Sequence, residues 1–419
     1  MRGMSVFGVM AIGFTVYGLG AVDHAQAADA VKIGLIMPLS GNAASAGQSA
    51  KAAVELAADI INGSDKAFGR LPLAGAGGLP GLGGAKLVID AADNQGSPAA
   101  GQSQALRLIT EDKVDAIVGA YQSSVSLTAS AVAEKYGIPF VCGDSVAANL
   151  TQRGFKTFFR VTPVASDFAN NYMQFLADLG KVGHPVKTIA IVNENTDYGT
   201  SVAGSVQQAA KSHGFEVVAQ IPYNANGADV SSQVLQLKQK NADAVIFISY
   251  TADTILYMKT MKSLDYKPHV LIGDDSGFSD PAFITAVGDI AQGAMNRSAW
   301  DIGKPGSATY KINDLYKKKT GHDLDDTSGR DMQAMFVLAD AINRAGSTKP
   351  DAIIAALKAT DLKPDQLMMG YRGVKFDATG QNVLAATYLI QLLGKNYVAV
   401  WPAASAQHAI VYPYQGWTK

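Results

Sequence analysis

The chain has 419 residues, 48% of them hydrophobic and 17% charged, which is enough length and apolar material for two domains of ordinary size. A formal net charge of -1 leaves no basic field to draw nucleic acid. The single cysteine, Cys142, excludes an intramolecular disulfide and reads as a buried strand residue.

Arg2 followed by the uncharged, largely apolar residues 3–22 reads as a targeting segment. Ala25-Gln26-Ala27 fits the small-x-small cleavage pattern, so the mature chain is expected to start near Ala28. An uncleaved anchor is the alternative reading of such a run; its five glycines and the Ala-rich site behind it favour cleavage. No later stretch is long and apolar enough to span a bilayer, so a soluble exported protein is expected. Cys142 lies too far from the leader to carry a lipid at a new N-terminus.

Residues 31–37 form a buried strand, and the turn after it leads into a helix over about 48–62, with Ser45 and Ala46 on the connecting loop. Residues 62–84 are a long Gly/Pro/Ala-rich loop. Its GAGGLPGLGG segment fails as a phosphate cradle. Pro80 occupies the third glycine position counted from Gly75, no Gly-Lys-Ser/Thr ending follows, and the loop precedes a strand instead of following one. Residues 86–91 are a strand and 98–111 a helix; Asp90, Asp93 and Asn94 between them match turn chemistry and no calcium loop.

Residues 118–147, VGAYQSSVSLTASAVAEKYGIPFVCGDSVA, hold two successive strand-to-helix junctions. The first is the loop containing Tyr121, with Ser123 and Ser124 where a helix begins; that helix runs to about Tyr136 and stops at Gly137. The second is Gly143-Asp144-Ser145, leading into another helical turn. Free N–H groups and the positive end of a helix dipole at such junctions can hold a carboxylate without a lysine or arginine, and ligands of open α/β sheets bind at the carboxyl ends of the strands. The plainer reading is that Ser123 and Ser145 only cap their helices.

A strand over 157–161 ends at Thr162-Pro163, and the strand–helix rhythm then restarts. Strands are expected at 188–193, 215–221, 244–249 and 270–273, and helices at 201–213, 230–240 and 252–264. Tyr198 lies on the loop after the first of these strands, Tyr250 ends the third, and Asp274-Asp275 ends the fourth. Two such series mean two lobes with parallel sheets. Beyond residue 295 the texture changes to helices at 307–320, 330–345 and 351–359, and then strands at 368–376, 386–392 and 397–401. Lys317-Lys318-Lys319 reads as a solvated face, and this C-terminal part is expected to pack back onto both lobes.

Enzyme chemistry has one foothold. Gly143-Asp144-Ser145-Val146-Ala147 nearly matches the nucleophile elbow G-x-S-x-G. The six histidines (His24, His184, His213, His269, His322 and His408) lie in no recognisable triad segment and show no metal-ligand spacing. No catalysis, cofactor or metal is expected.

The order of VKIGLIMPLSG, ADNQGSPAAG, the two junctions, ANLTQRGFKTFFRV, TIAIVNENTDYG and RGVKFDATGQN resembles the periplasmic branched-chain amino acid (leucine/isoleucine/valine) binding proteins of ABC transporters, over about residues 31–402. The resemblance implies the type I periplasmic binding protein fold: α/β, two Rossmann-like lobes with parallel sheets, joined by three hinge crossings near Val161, Trp300 and Val383. Lobe 1 would be 28–161 with 300–382, and lobe 2 would be 162–299 with 383–419, behind a signal peptide over 1–27. It implies a periplasmic monomer that clamps an amino acid and delivers it to an ABC permease in the inner membrane. Related outcomes of the same fold are a binder of a non-amino-acid carboxylate such as an aromatic acid, and a periplasmic ligand sensor.

Carried over onto this sequence, the family's α-carboxylate serine falls on Ser123 and its second carboxylate junction on Asp144, Ser145 and Val146. The tyrosine covering the ligand falls on Tyr198, a second on Tyr250, and the acid receiving the α-ammonium on Asp275. The sequence departs from the family in two places, the second junction and Ala46. Asp144 is acidic where a carboxylate should sit, and Val146 lacks a hydroxyl, so Ser145 substitutes only with a shift of register. Either Asp144 caps the helix and points away, or the ligand carries an extra positive group or lacks a carboxylate. Ala46 stands where the family often has a bulky residue, and with Ser45 it would leave a roomier pocket.

Overall fold

The computed structural model describes residue 1 and residues 30–417, so the predicted leader and its cleavage site near Ala27 lie outside the described residues. Among the described residues no helix is long and apolar enough to cross a membrane.

The first lobe is built from β1 (Val31–Met37), α1 (Ala44–Asn62), β2 (Leu87–Asp93), α2 (Pro98–Thr110), β3 (Ala116–Gly119), α3 (Ser123–Tyr136), β4 (Phe140–Cys142) and β5 (Phe158–Arg160). The strands form one parallel sheet in the order β2-β1-β3-β4-β5. Ile33, Leu35, Val118 and Val141 point into the core under α1, while Ile36, Ile117, Phe140 and Cys142 point into the core under α2 and α3. Burial on both faces is why these strands read as continuous apolar runs. Cys142 is buried there, and burial pushes its thiol above the ordinary value.

The second lobe contains α4 (Ala165–Lys181), β6 (Thr188–Glu194), α5 (Asp197–His213), β7 (Glu216–Tyr223), α6 (Ser231–Lys240), β8 (Ala244–Ile248), α7 (Thr251–Ser263), β9 (Val270–Asp274), α8 (Ser276–Ser279), α9 (Pro281–Val287) and β10 (Met295–Ser298). The chain then returns to the first lobe with α10 (Ala308–Thr320), α11 (Asp326–Ala345) and α12 (Pro350–Lys358), where α11 packs on α1. The short pair β11 (Asp361–Leu362) and β12 (Val374–Lys375) follows, and β13 (Tyr388–Leu393) and β14 (Asn396–Trp401) complete the second sheet, ordered β14-β13-β10-β9-β8-β6-β7. This sheet is parallel except that β13 runs antiparallel to both β10 and β14.

The chain therefore passes between the two cores three times. Two of these passages are clamped together: Arg160 and Gln381 bridge, the Asn382 side chain donates to the Val161 carbonyl at 3.0 Å, and Gln381 Nε2 donates to the Thr162 carbonyl at 2.9 Å. Arg160 is fully buried and satisfied by neutral acceptors, Gln381 Oε1 and the Ala147 carbonyl, each at 2.6 Å. Burial lowers its pKa to about 10, so it stays charged at neutral pH.

Several elements differ from the sequence expectation. Helix α1 starts at Ala44, so Ser45 and Ala46 occupy its first turn and not a loop. Gly47, in the same turn, is there because a Cβ would lie 2.0 Å from the Pro38 carbonyl oxygen. Helix α4 was not anticipated, although Phe168, Tyr172, Phe175, Leu176 and Leu179 bury one face at helical spacing. Helix α5 begins at Asp197, which places Tyr198 in its first turn. Residues 368–373 are not a strand, and β10 was missed because Met-Asn-Arg-Ser is neither apolar nor alternating. Helix α11 begins at Asp326, capped by Asp325, whose side chain accepts from Ser328 N at 2.7 Å.

Candidate functional site in the interlobe cleft

Side chains that follow β3 meet side chains that follow β6, β8 and β9, and several of the predicted residues lie at that meeting. Tyr121, after β3, is held at φ 70, a left-handed conformation that a non-glycine residue keeps only when its surroundings impose it. The Ser145 hydroxyl supplies part of that constraint by donating to the Tyr121 carbonyl at 2.8 Å and bonding Ser126 Oγ at 2.7 Å. Ser126 Oγ in turn accepts from Ala120 N at 2.9 Å. Ser145 thus ties the two junctions together and caps no helix.

Ser123 is not an N-cap either. Gln122 holds that position without a side-chain bond, and Ser123 opens α3 with its hydroxyl accepting from Ala147 N at 3.3 Å. The backbone N–H groups of Ser123 and half-buried Ser124 begin the helix and have no preceding turn to pair with. Val146 turns away from the first sheet and packs in the second lobe's core.

Three tyrosines from both lobes meet in the cleft. The Tyr250 ring lies 5.7 Å from that of Tyr121 and 5.2 Å from that of Tyr198, and Tyr250 packs against the cores of both lobes. The Tyr198 hydroxyl donates to Asp274 Oδ1 at 2.7 Å, and the Tyr121 hydroxyl bonds the Ser276 hydroxyl across the cleft. Burial first and neighbouring carboxylates second push all three phenols well above their ordinary range. Ser45 spans the cleft as well, donating to Asp280 Oδ1 at 2.8 Å, while Ala46 is buried behind it in the first core.

Asp275 follows β9 at φ 70 and is nearly fully buried. It accepts from Arg330 Nη2 at 2.5 Å and lies 3.3 Å from Arg297 Nη2. Burial raises its pKa, but the two guanidinium groups overcome this and hold the carboxyl below its ordinary value. Asp144 neither caps a helix nor points away. It is buried with Oδ1 3.1 Å from Arg330 Nη2, facing Asp331. Burial and the Asp331 charge push Asp144 well up, and burial pushes Asp331 up to about 7. Two buried carboxyl groups that face each other resist ionising together.

Arg297, Arg330, Asp274, Asp326 and Asp331 are the residues that sequence reasoning missed. A signal existed: Arg330-Asp331 precedes the run Met332 to Leu338 inside a helix, which puts charge where burial is expected. Their partners lie in other segments and could not be named from sequence.

A family model described as periplasmic binding protein matches residues 30–396. Leu/Ile/Val-binding protein homolog 8 of Brucella abortus is 34% identical over 394 residues, covering 90% of this chain and 91% of the relative. The branched-chain amino acid transporter substrate binding protein LivJ from Streptococcus pneumoniae, solved in complex with isoleucine, aligns with a TM-score of 0.75 at 21% identity, over 92% of this chain and 100% of that one. A solute binding protein of an ABC transporter from Rhodopseudomonas palustris, in complex with 3,4-dihydroxy benzoic acid, aligns with a TM-score of 0.73 at 19% identity, over 93% of this chain and 99% of that one. With the two-lobed α/β architecture, the strand-end cleft and a family match over nearly all of the described residues, the chain belongs to the periplasmic binding protein family.

Proposed function

We propose that this protein is a periplasmic solute-binding protein of an ABC importer that closes its two lobes on an amino acid, aliphatic or larger, and presents the closed form to a membrane permease. The observation that carries this reading is the meeting of two chemistries at the strand ends. The unpaired N–H groups at the start of α3 suit a carboxylate. Three tyrosine rings and Asp275 suit an ammonium group and an apolar side chain. Hinges near Val161, Trp300 and Val383, with lobes of 28–161 plus 300–382 and 162–299 plus 383–419, belong to the same proposal. So do a monomeric state and export behind a cleaved leader. Closure by rigid-body rotation would form the Ser45–Asp280 and Tyr121–Ser276 contacts and expel water from between them.

An aromatic acid is the second reading, favoured by the three-tyrosine wall and by the small residue Ala46. A thermal-shift screen of unfolded and refolded protein separates the two, because a ligand that binds only the native state raises its melting temperature. Stabilisation by α-amino acids, lost when either charged end is removed, supports the first reading. Stabilisation by aromatic acids without an amine supports the second. No shift with either class refutes both.

A further inference from the structure

Two arginines and two aspartates meet behind the tyrosines, one of each from each lobe. Arg330 and Asp326 stand on α11 of the first lobe; Arg297 on β10 and Asp275 after β9 belong to the second. Arg330 Nη2 is 2.5 Å and Arg297 Nη2 3.3 Å from Asp275 Oδ1, while Arg330 Nε is 3.1 Å and Arg297 Nη1 3.6 Å from Asp326 Oδ2. None of the four side chains is more than 6% exposed.

The box is asymmetric. The two nitrogens that face Asp326 make no aligned hydrogen bond among the described residues, so Asp275 is the more firmly held corner. Thr327 Oγ1 adds a third contact to the same oxygen at 3.4 Å, and Asn296 Nδ2 fixes the Asp275 carbonyl at 2.9 Å. Among the described residues the arginine and Thr327 contacts of Asp275 all fall on Oδ1 and none on Oδ2, while the Ser276 backbone N–H also donates to the carboxylate.

We propose that Arg330, assisted by Arg297, is a positioning residue for ligand binding: it anchors one oxygen of Asp275 so that the other is presented to a cationic group of the ligand. This rests on the reading of Asp275 as the acceptor of the ligand's ammonium. The anchor is complete only with the lobes together, since Arg330 reaches Asp275 across the cleft, so it also couples closure to the ammonium site. A carboxylate compensated by two arginines would normally be a poor ammonium acceptor. Here the surroundings restore the balance, because Asp144, Asp274, Asp326 and Asp331 also border the two guanidinium groups, with the phenols of Tyr172 and Tyr198 beside Arg297. One arginine carries its charge to several acids, and a lysine could not span them.

The test is calorimetric titration of the refolded mature protein with L-leucine at pH 7.5 and pH 5.0, for the wild type and for Asp275→Asn, Arg330→Gln, Arg330→Lys and Arg297→Gln. Asp275→Asn and Arg330→Gln are each expected to weaken binding by about 30-fold or more at pH 7.5. Of these two, Arg330→Gln should lose further affinity at pH 5.0, because Asp275, without its main counter-charge, takes up a proton. The wild type should stay flat between the two values. Arg330→Lys should bind with intermediate affinity and without the acid loss, which a purely structural role would not produce. Wild-type-like binding by Arg330→Gln at both pH values, with Asp275→Asn impaired, overturns the positioning role and leaves the ammonium site standing. Unimpaired Asp275→Asn overturns the ammonium site and this proposal with it. If Arg330→Gln does not fold, Arg297→Gln carries the same expectations with a smaller loss, and flat, wild-type-like binding by that variant overturns the proposal.

Discussion

Replacing Asp331 with asparagine tests the buried carboxyl pair, and the expected effect lies in the pH dependence of stability. Burial and the neighbouring charges raise Asp331 to about 7 from an ordinary 3.8. Between those values the folded chain keeps a proton that the unfolded chain releases. Raising the pH therefore favours unfolding: this destabilisation is absent below 3.8, grows through the interval, and is constant above about 7. At roughly 1.4 kcal/mol per pH unit, the interval amounts to on the order of 4 kcal/mol for an isolated group. Electrostatic coupling to Asp144 spreads that cost over the pair, so ~2–4 kcal/mol is expected to be relieved by Asp331→Asn at pH 8. The asparagine amide must find partners near Asp144 and Gly143, which adds an offset of about 1–3 kcal/mol that does not vary with pH. The assay is urea unfolding of both proteins at pH 4.5, 6, 7 and 8, read as the difference in stability at each pH. The difference should move in favour of the variant as the pH rises. A difference that stays constant from pH 4.5 to pH 8 would refute the raised carboxyl and its coupling to Asp144.

Other substitutions test the packing around the cleft. A Cβ at Gly143 would stand 2.4 Å from Asp331 Oδ1 and 2.8 Å from Asp331 Cα, so Gly143→Ala should lower stability by ~1–3 kcal/mol in thermal unfolding. Gly204→Ala on α5 is its control: nothing lies within 4 Å of the added carbon, and a gain of about 0.5–1 kcal/mol is expected. Arg160→Met at the paired crossings removes the donor to Gln381 Oε1 and the Ala147 carbonyl and leaves both buried; a loss of about 2–5 kcal/mol in urea unfolding is expected. Ser45→Ala deletes one hydrogen bond across the cleft and should weaken ligand affinity by ~0.5–1.5 kcal/mol in calorimetry.

The alternation of apolar strands and amphipathic helices was legible because burial on both faces leaves a periodic trace in the sequence. Most β-strands of both sheets follow from it, as do α2, α3, α6 and α7 to within a residue or two. The errors cluster where the local signal is weak or contradictory. Small residues hid the first turn of α1, whose Gly47 serves a close approach to Pro38. The polar strand β10 is buried by its neighbours β9 and β13 and not by its own composition. Ser123 and Tyr121 were legible as site candidates because strand ends in open sheets are where ligands bind, while Tyr198, Tyr250 and Asp275 came from the resemblance to the binding-protein family. The roles of Ser145 and Val146 were not, since a serine after a strand looks alike whether it caps a helix or braces a neighbouring loop.

The sequence by itself determined the fold class, the two-lobed rhythm, the location of the cleft and the family, because these rest on local periodicity and on ordered motifs. Only the tertiary structure decided where the charge of Asp144 and Asp275 goes. The answer lies in Arg297, Arg330 and Asp331, which are far from both aspartates in the chain and come from other elements. The energy of a buried charge depends on what lies within a few ångströms of it. Chain order carries no such distance, and so the acid that looked out of place beside a carboxylate site found its counter-charge only when the helix α11 was laid against the first sheet.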